Sequence, residues 1–169
     1  MIYCLRLHHH KERDVSLVEK AALAADAPLY YYSIPEAERV ERCELTSDIC
    51  IVDEEFFFIR GNIEIPVHGL EERFSWGVWV SLSGANFTEY MRHFEDHDRA
   101  ALGPYFGWLS AALKVYPDTE NLKINARIKD PPLRPLIELE PTDHPLAVEQ
   151  REGISQERLA EIYSAYLHD

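Results

Sequence analysis

Three groups of residues in this chain could do chemistry. The first is the polar loop 142–149, where Asp143 precedes His144 and Glu149 follows. Histidine is the usual acid–base side chain near neutral pH, and a carboxylate is its usual partner, so His144, Asp143 and Glu149 are the candidate catalytic residues. The second group could hold a metal. His93 and His97, four apart, would put two imidazoles on one face of a helix, and Cys4 with His8, His9 and His10 has the ligand types of a zinc or copper site. His93 and His97 lack the HExxH pattern, and Cys4, His8 and His10 stand at a terminus. A solvated helix end and a plain terminal segment are the simpler readings, and no metal or cofactor is expected. The third group is aromatic. Trp79 stands among Ser75, Gly77 and Ser81 on the small-residue side of a strand, and Tyr105 and Trp108 lie in YFGWL. Such rings suit a ligand stack or a protein contact, so Trp79, Tyr105 and Trp108 are the candidate binding residues.

Other chemistry lacks its signal. Cys43 would need a base beside it to act as a nucleophile, and none is near in sequence. Cys50 alternates with strand residues and reads as core. There is no Gly-rich phosphate loop, nucleophile elbow or CxxC pair.

The elements that must position these residues follow from hydrophobic period. Phe74, Trp76, Val78, Val80 and Leu82 alternate with Ser75, Gly77, Trp79 and Ser81, which is the pattern of a strand. Ile49 to Val52 and Phe56 to Arg60 read as a hairpin around Asp53-Glu54, with Gly61 as a bulge before Ile63 to Val67 and Pro66 at a strand end. Leu122, Ile124, Ala126 and Ile128 mark an amphipathic strand, and Leu136 to Glu140 its acidic partner.

Helices are expected at 15–25, after Pro35, over 84–95 behind the cap Ser83, and after the cap Ser155 with Leu159, Ile162, Tyr163, Tyr166 and Leu167 as one stripe. Residues 105–113 are read as helical and Tyr30 to Tyr32 as extended. The order predicts one domain over 1–169, with 1–13 irregular. Its class is α+β: a central antiparallel sheet of about five or six strands with helices packed mainly on one face.

Composition narrows the function classes. The 169 residues include 17 basic and 30 acidic ones, a net charge of −13. That field repels phosphate backbones and attracts cationic partners, so a basic protein is a candidate partner and nucleic acid is not. No apolar run is long enough to span a bilayer, and no secretory signal is visible. Three cysteines without framework spacing fit a reducing cytoplasm.

From about Ala24 to Leu167 the chain resembles an uncharacterised bacterial family, one of the domains of unknown function. The resemblance is carried by Ala25-Asp26-Ala27-Pro28, Ser33-Ile34-Pro35, RCELTSD from Arg42, FFIRG from Phe57, WGVWVSLS from Trp76, YFGWL from Tyr105 and IELEPTDHPLAVEQREG from Ile137. It implies no activity. Members often begin with a CxxCG segment suited to zinc; here Cys4 stands there alone, so no metal site is carried over.

Together these readings predict a small acidic cytoplasmic protein that works as a protein-binding module, with an immunity-type inhibitor of a basic toxin as one form. The alternative is an enzyme that uses loop 142–149.

Overall fold

The computed structural model describes residues 22–167. In chain order the elements are β1 (Ala22–Ala24), α1 (Leu29–Ser33), a 3-10 turn (Glu36–Glu38), α2 (Arg39–Arg42), β2 (Cys43–Leu45), β3 (Ile49–Val52), β4 (Phe56–Pro66) and β5 (Arg73–Leu82). There follow α3 (Gly84–Arg92), a 3-10 turn (Arg99–Ala101), β6 (Tyr105–Leu109), β7 (Lys123–Arg127), β8 (Leu136–Leu139), α4 (Pro145–Glu152) and α5 (Gln156–Leu167). The mixed α+β class is as expected, but the sheet is larger and closes on itself.

Eight strands run in the order β1-β5-β6-β7-β8-β4-β3-β2, and β4 also pairs with β5. The ring β4-β5-β6-β7-β8 is therefore a five-stranded barrel. Its seam is a parallel contact, Asn62 opposite Leu136, backed by a hydrogen bond from the Asn62 N–H to the Pro135 carbonyl at 2.9 Å. This differs from the expected central antiparallel sheet of about five or six strands with helices mainly on one face, since β1–β5 and β4–β8 also pair in parallel. The cause is the length of β4 and β5, whose halves serve different neighbours. Residues 80–82 of β5 pair with β6, while residues 75–77 pair with β1 in parallel.

Period-two sequence fills the barrel. Ile59, Ile63, Ile65, Phe74, Trp76, Val78, Val80, Leu109, Ile124, Ala126 and Ile137 are buried in one core. At ~25 cal/mol per Å² of apolar area, this cluster is the main source of stability. The other side of β3, β4 and β5 carries a smaller core of Ile34, Cys50, Val52, Phe58 and Trp79, with Tyr30 and Tyr31 of α1 packed against it.

Several local expectations hold. Asp53 and Glu54 both have positive φ, the geometry of a tight two-residue hairpin turn. Ser83 caps α3 by accepting from the Asn86 N–H at 3.2 Å, and Ser155 accepts from the Arg158 N–H at 3.1 Å at the start of α5. The α5 stripe is buried through Leu159 and Ile162, with Tyr163 against Phe74 and Tyr166 against Trp76.

Four expectations fail, each for a physical reason. Residues 105–109 form a strand, not a helix, with buried Tyr105, Gly107 and Leu109 alternating with exposed Phe106 and Trp108. Gly61 is no bulge: the β4–β5 ladder is continuous from Phe57–Leu82 to Pro66–Arg73. Glycine is needed there because a Cβ would lie 2.6 Å from the Ile137 side chain. Tyr30 to Tyr32 lie in α1, started by Pro28 at its N-cap position. The helix expected over 15–25 falls mostly outside the described residues, and within them Ala22–Ala24 is strand β1, because β5 has a free edge there.

Candidate functional site

In the loop 142–149, His144 and Glu149 are hydrogen-bonded to different partners rather than to each other. His144 is the N-cap of α4: its Nδ1 accepts from the Leu146 N–H at 3.2 Å. Its Nε2 lies 3.1 Å from the Asp118 carbonyl oxygen, so that nitrogen carries the proton. Both ring nitrogens are thus committed to holding α4 against the 118 turn. Asp143 is exposed.

Glu149 is instead joined to two residues that no sequence spacing connects to it. Its Oε2 accepts from the Tyr116 hydroxyl at 2.5 Å and its Oε1 from Arg158 Nε at 2.8 Å. The Arg158 guanidinium lies 5.5 Å from the Tyr116 ring centroid. Burial, and then the bond to Glu149, push the Tyr116 hydroxyl pKa up. This triad ties the 116 turn to α4 and α5. It satisfies a part-buried charge pair.

Among the described residues no group of three or more His, Cys, Asp or Glu is placed to hold a metal ion. His93 closes α3, and its Nδ1 contacts Asp96 Oδ2 at 2.7 Å. His97 is exposed in the following turn. Cys4, His8 and His10 lie outside the described residues. Cys43 and Cys50 are free thiols. Burial, then the charge of Asp53, raise the Cys43 pKa, and burial pushes Cys50 up to about 12, so neither is an activated nucleophile.

The aromatic candidates part company. Trp79 is fully buried, and its Nε1 donates to the Ala25 carbonyl at 3.1 Å, so its indole belongs to the second core rather than to a contact surface. Tyr105 is also buried, with its hydroxyl donating to Glu89. Trp108 is exposed on the outside of β6 beside Phe106, their ring centroids 5.3 Å apart, with Lys123 Nζ 5.9 Å from the Trp108 centroid.

A second exposed surface was not legible as a site. Between residues 32 and 56 stand eight acidic residues (Glu36, Glu38, Glu41, Glu44, Asp48, Asp53, Glu54, Glu55) and two basic ones (Arg39, Arg42). The same stretch holds Tyr32, Val40, Leu45 and Phe56, four of the seven large hydrophobic residues exposed among the described residues; Val40 is 91% exposed. Arg42 binds both oxygens of Asp53, at 2.7 and 2.8 Å, and Glu38 at 2.6 Å, which locks α2 onto the β3–β4 turn. The bond to Arg42 holds the Asp53 carboxyl below its ordinary range. Glu36, Glu41, Glu44, Glu54 and Glu55 are exposed and make no ion pair among the described residues. β2, which runs through this lobe, is an edge strand of the sheet.

The lobe was hidden because its parts come from a helix, a strand and a turn, and only the fold sets them together. The available signal was the local charge imbalance.

The model of a family described as an uncharacterised protein conserved in bacteria, DUF2199, matches residues 7–154, and the chain belongs to that family. The match starts upstream of the segment that carried the resemblance and stops before α5. Comparison with curated proteins and with solved structures returns no match. No helix among the described residues is long and apolar enough to cross a membrane.

Proposed function

We propose that this DUF2199-family chain is a protein-binding module for a basic partner, and that the lobe 32–56 is the surface it uses. One observation carries the reading: exposed apolar side chains occur in that lobe together with five glutamates that make no ion pair among the described residues. Isolated exposed apolar residues are ordinary, but apolar anchors within a field of one sign are what a charge-steered interface needs. The carboxylates draw a cationic partner in, and Val40, Leu45 and Phe56 supply area to desolvate. An immunity-type role, in which the partner is a basic toxin, is the finer form of this proposal. The exposed pair Phe106 and Trp108, two strands away from β4, is a further contact candidate.

The competing reading, an enzyme centred on 142–149, has less support, since His144 and Glu149 are already engaged in holding α4. The test is co-purification from the native host, or with the product of a neighbouring gene. Wild-type chain is compared with a variant in which Glu36, Glu41, Glu44 and Glu54 are changed to Lys. A basic protein retained by the wild type and lost from the variant supports the proposal. Turnover of a small molecule that His144→Ala abolishes would move the function to the loop.

A further inference from the structure

A pair of arginines meets beside β4, just past the end of its pairing with β3. Arg60 of β4 and Arg134, in the loop before β8, both donate to one acceptor, the Ser47 carbonyl oxygen, each at 3.4 Å. Arg134 also donates through Nε to Asp48 Oδ1 at 2.8 Å. Arg60 makes no hydrogen bond to a carboxylate among the described residues. Its guanidinium carbon lies 5.8 Å from the Trp79 ring centroid, and its Nε is buried without a hydrogen-bond partner. Each guanidinium has five N–H donors, and Arg60 spends one and Arg134 two in these bonds.

Like charges held together and part desolvated are costly unless an opposite charge answers them. Burial and then the charge of Arg134 lower the Arg60 pKa, while Asp48 and Asp26 act the other way. Among the described residues Asp48 is the carboxylate hydrogen-bonded into the pair, and it bonds Arg134 rather than Arg60.

We propose that Arg60 and Arg134 together bind one further carboxylate group, presented by a ligand. The planar fork of a guanidinium matches a carboxylate bidentately, and the Trp79 indole lies within cation–π reach of Arg60. A single carboxylate matches the unspent guanidinium donors of Arg60, which has no carboxylate hydrogen-bonded to it among the described residues. A dianion is disfavoured, because the field of a chain with net charge −13 penalises each added negative charge. The proposal borders the lobe at Ser47 and Asp48 but differs from the protein-binding reading in the residues that bind and in their charge.

The experiment is thermal unfolding in sodium formate against sodium chloride at equal ionic strength, on wild type, Arg60→Met and Asp48→Asn. For a Kd on the order of 10 mM, 100 mM formate raises the folded-to-unfolded ratio of the wild type about tenfold over chloride. Arg60→Met loses that gain. Asp48→Asn removes the internal competitor, so it gains more from formate than the wild type does. If Arg60→Met does not fold, Arg60→Lys keeps the charge without the fork and shows the same loss. Equal gains in wild type and the Arg60 variant, or no gain in Asp48→Asn, overturn the proposal. Competition with formate by N-acetyl-triglycine but not by its C-terminal amide assigns the carboxylate to a peptide terminus; formate binding without that competition assigns it to a small free acid. Either result supports the site.

Discussion

The Tyr116 hydroxyl and the Glu149 carboxylate are 2.5 Å apart across 33 residues of sequence, and Arg158 closes the group from a third element. Glu149→Ala should strip both partners at once. It leaves the Tyr116 hydroxyl and the Arg158 guanidinium part-buried without their acceptor, which costs about 1–3 kcal/mol. Tyr116→Phe removes one neutral donor and should cost about 1 kcal/mol. Urea unfolding of both variants checks the order; equal midpoints for Glu149→Ala and wild type would show that the group does not brace the fold.

Gly107 is the tightest point of the barrel. A Cβ there would lie 2.2 Å from the Ser81 carbonyl oxygen, which is backbone and cannot swing away. Gly107→Ala should therefore open the β5–β6 pairing, with a cost of about 1–3 kcal/mol or more from overpacking. Faster amide exchange at Leu82 and Leu109 than in the wild type is the expected signature, because these residues flank the contact. Unchanged exchange would mean that the added Cβ is accommodated without opening the pairing.

The α5 stripe offers a simpler test. Leu159 is 6% exposed and belongs to the main core. Leu159→Ala should cost roughly 2–4 kcal/mol in denaturant unfolding. An unchanged midpoint would make α5 peripheral to the barrel.

What could be read in the sequence was whatever depends on near neighbours. The Ser83 and Ser155 caps, the Asp53-Glu54 turn and the alternation of β5, β7 and β8 each need only a few consecutive residues. The β7–β8 pairing was also legible through charge, and Arg127 does reach Glu138 at 2.7 Å. What failed depends on partners far away. YFGWL puts Trp108 three and Leu109 four residues after Tyr105, as a helical face would, and only pairing with β5 and β7 makes it a strand. Barrel closure rests on two glycines whose reason is a neighbour, Ile137 for Gly61 and Ser81 for Gly107. Trp79 could be placed on the face opposite Trp76, but nothing in sequence said that α1 would cover it.

Cys50 makes stability depend on alkaline pH. Burial raises its folded pKa to about 12, above the ~8.5 of a free thiol. The folded state then keeps a proton that the unfolded chain releases, so stability is full below ~8.5 and falls as pH rises toward the folded value. At pH 10.5 the loss from this group is about 2.5 kcal/mol relative to pH 8. Cys50→Ala should be less stable than wild type at pH 8, by about 1 kcal/mol for the small void, yet show a flatter decline to pH 10.5. Parallel declines in the two proteins would mean that the thiol does not titrate with unfolding.

The lobe 32–56 makes a kinetic prediction once a basic partner is in hand. Its unpaired glutamates act at a distance, and exposed charges are screened over about 8–10 Å at ordinary ionic strength. Association should therefore slow steeply as salt rises, and the Lys variant at Glu36, Glu41, Glu44 and Glu54 should slow it further with little effect on dissociation. Phe56 acts only on contact. It stands at the rim of the second core, its ring centroid 4.6 Å from that of Tyr30, and replacing it removes desolvated area without changing the field. Phe56→Ser should leave the on-rate within about twofold and raise the off-rate about tenfold or more, in line with the loss of a contact anchor. Trp79→Ala is the contrasting case: the indole fills the second core, so its removal should cost about 3–5 kcal/mol of stability rather than act at the interface. Surface-binding kinetics at two salt concentrations separate these effects. An on-rate indifferent to both salt and the Glu→Lys changes would remove the lobe from the interface and direct attention to Phe106 and Trp108.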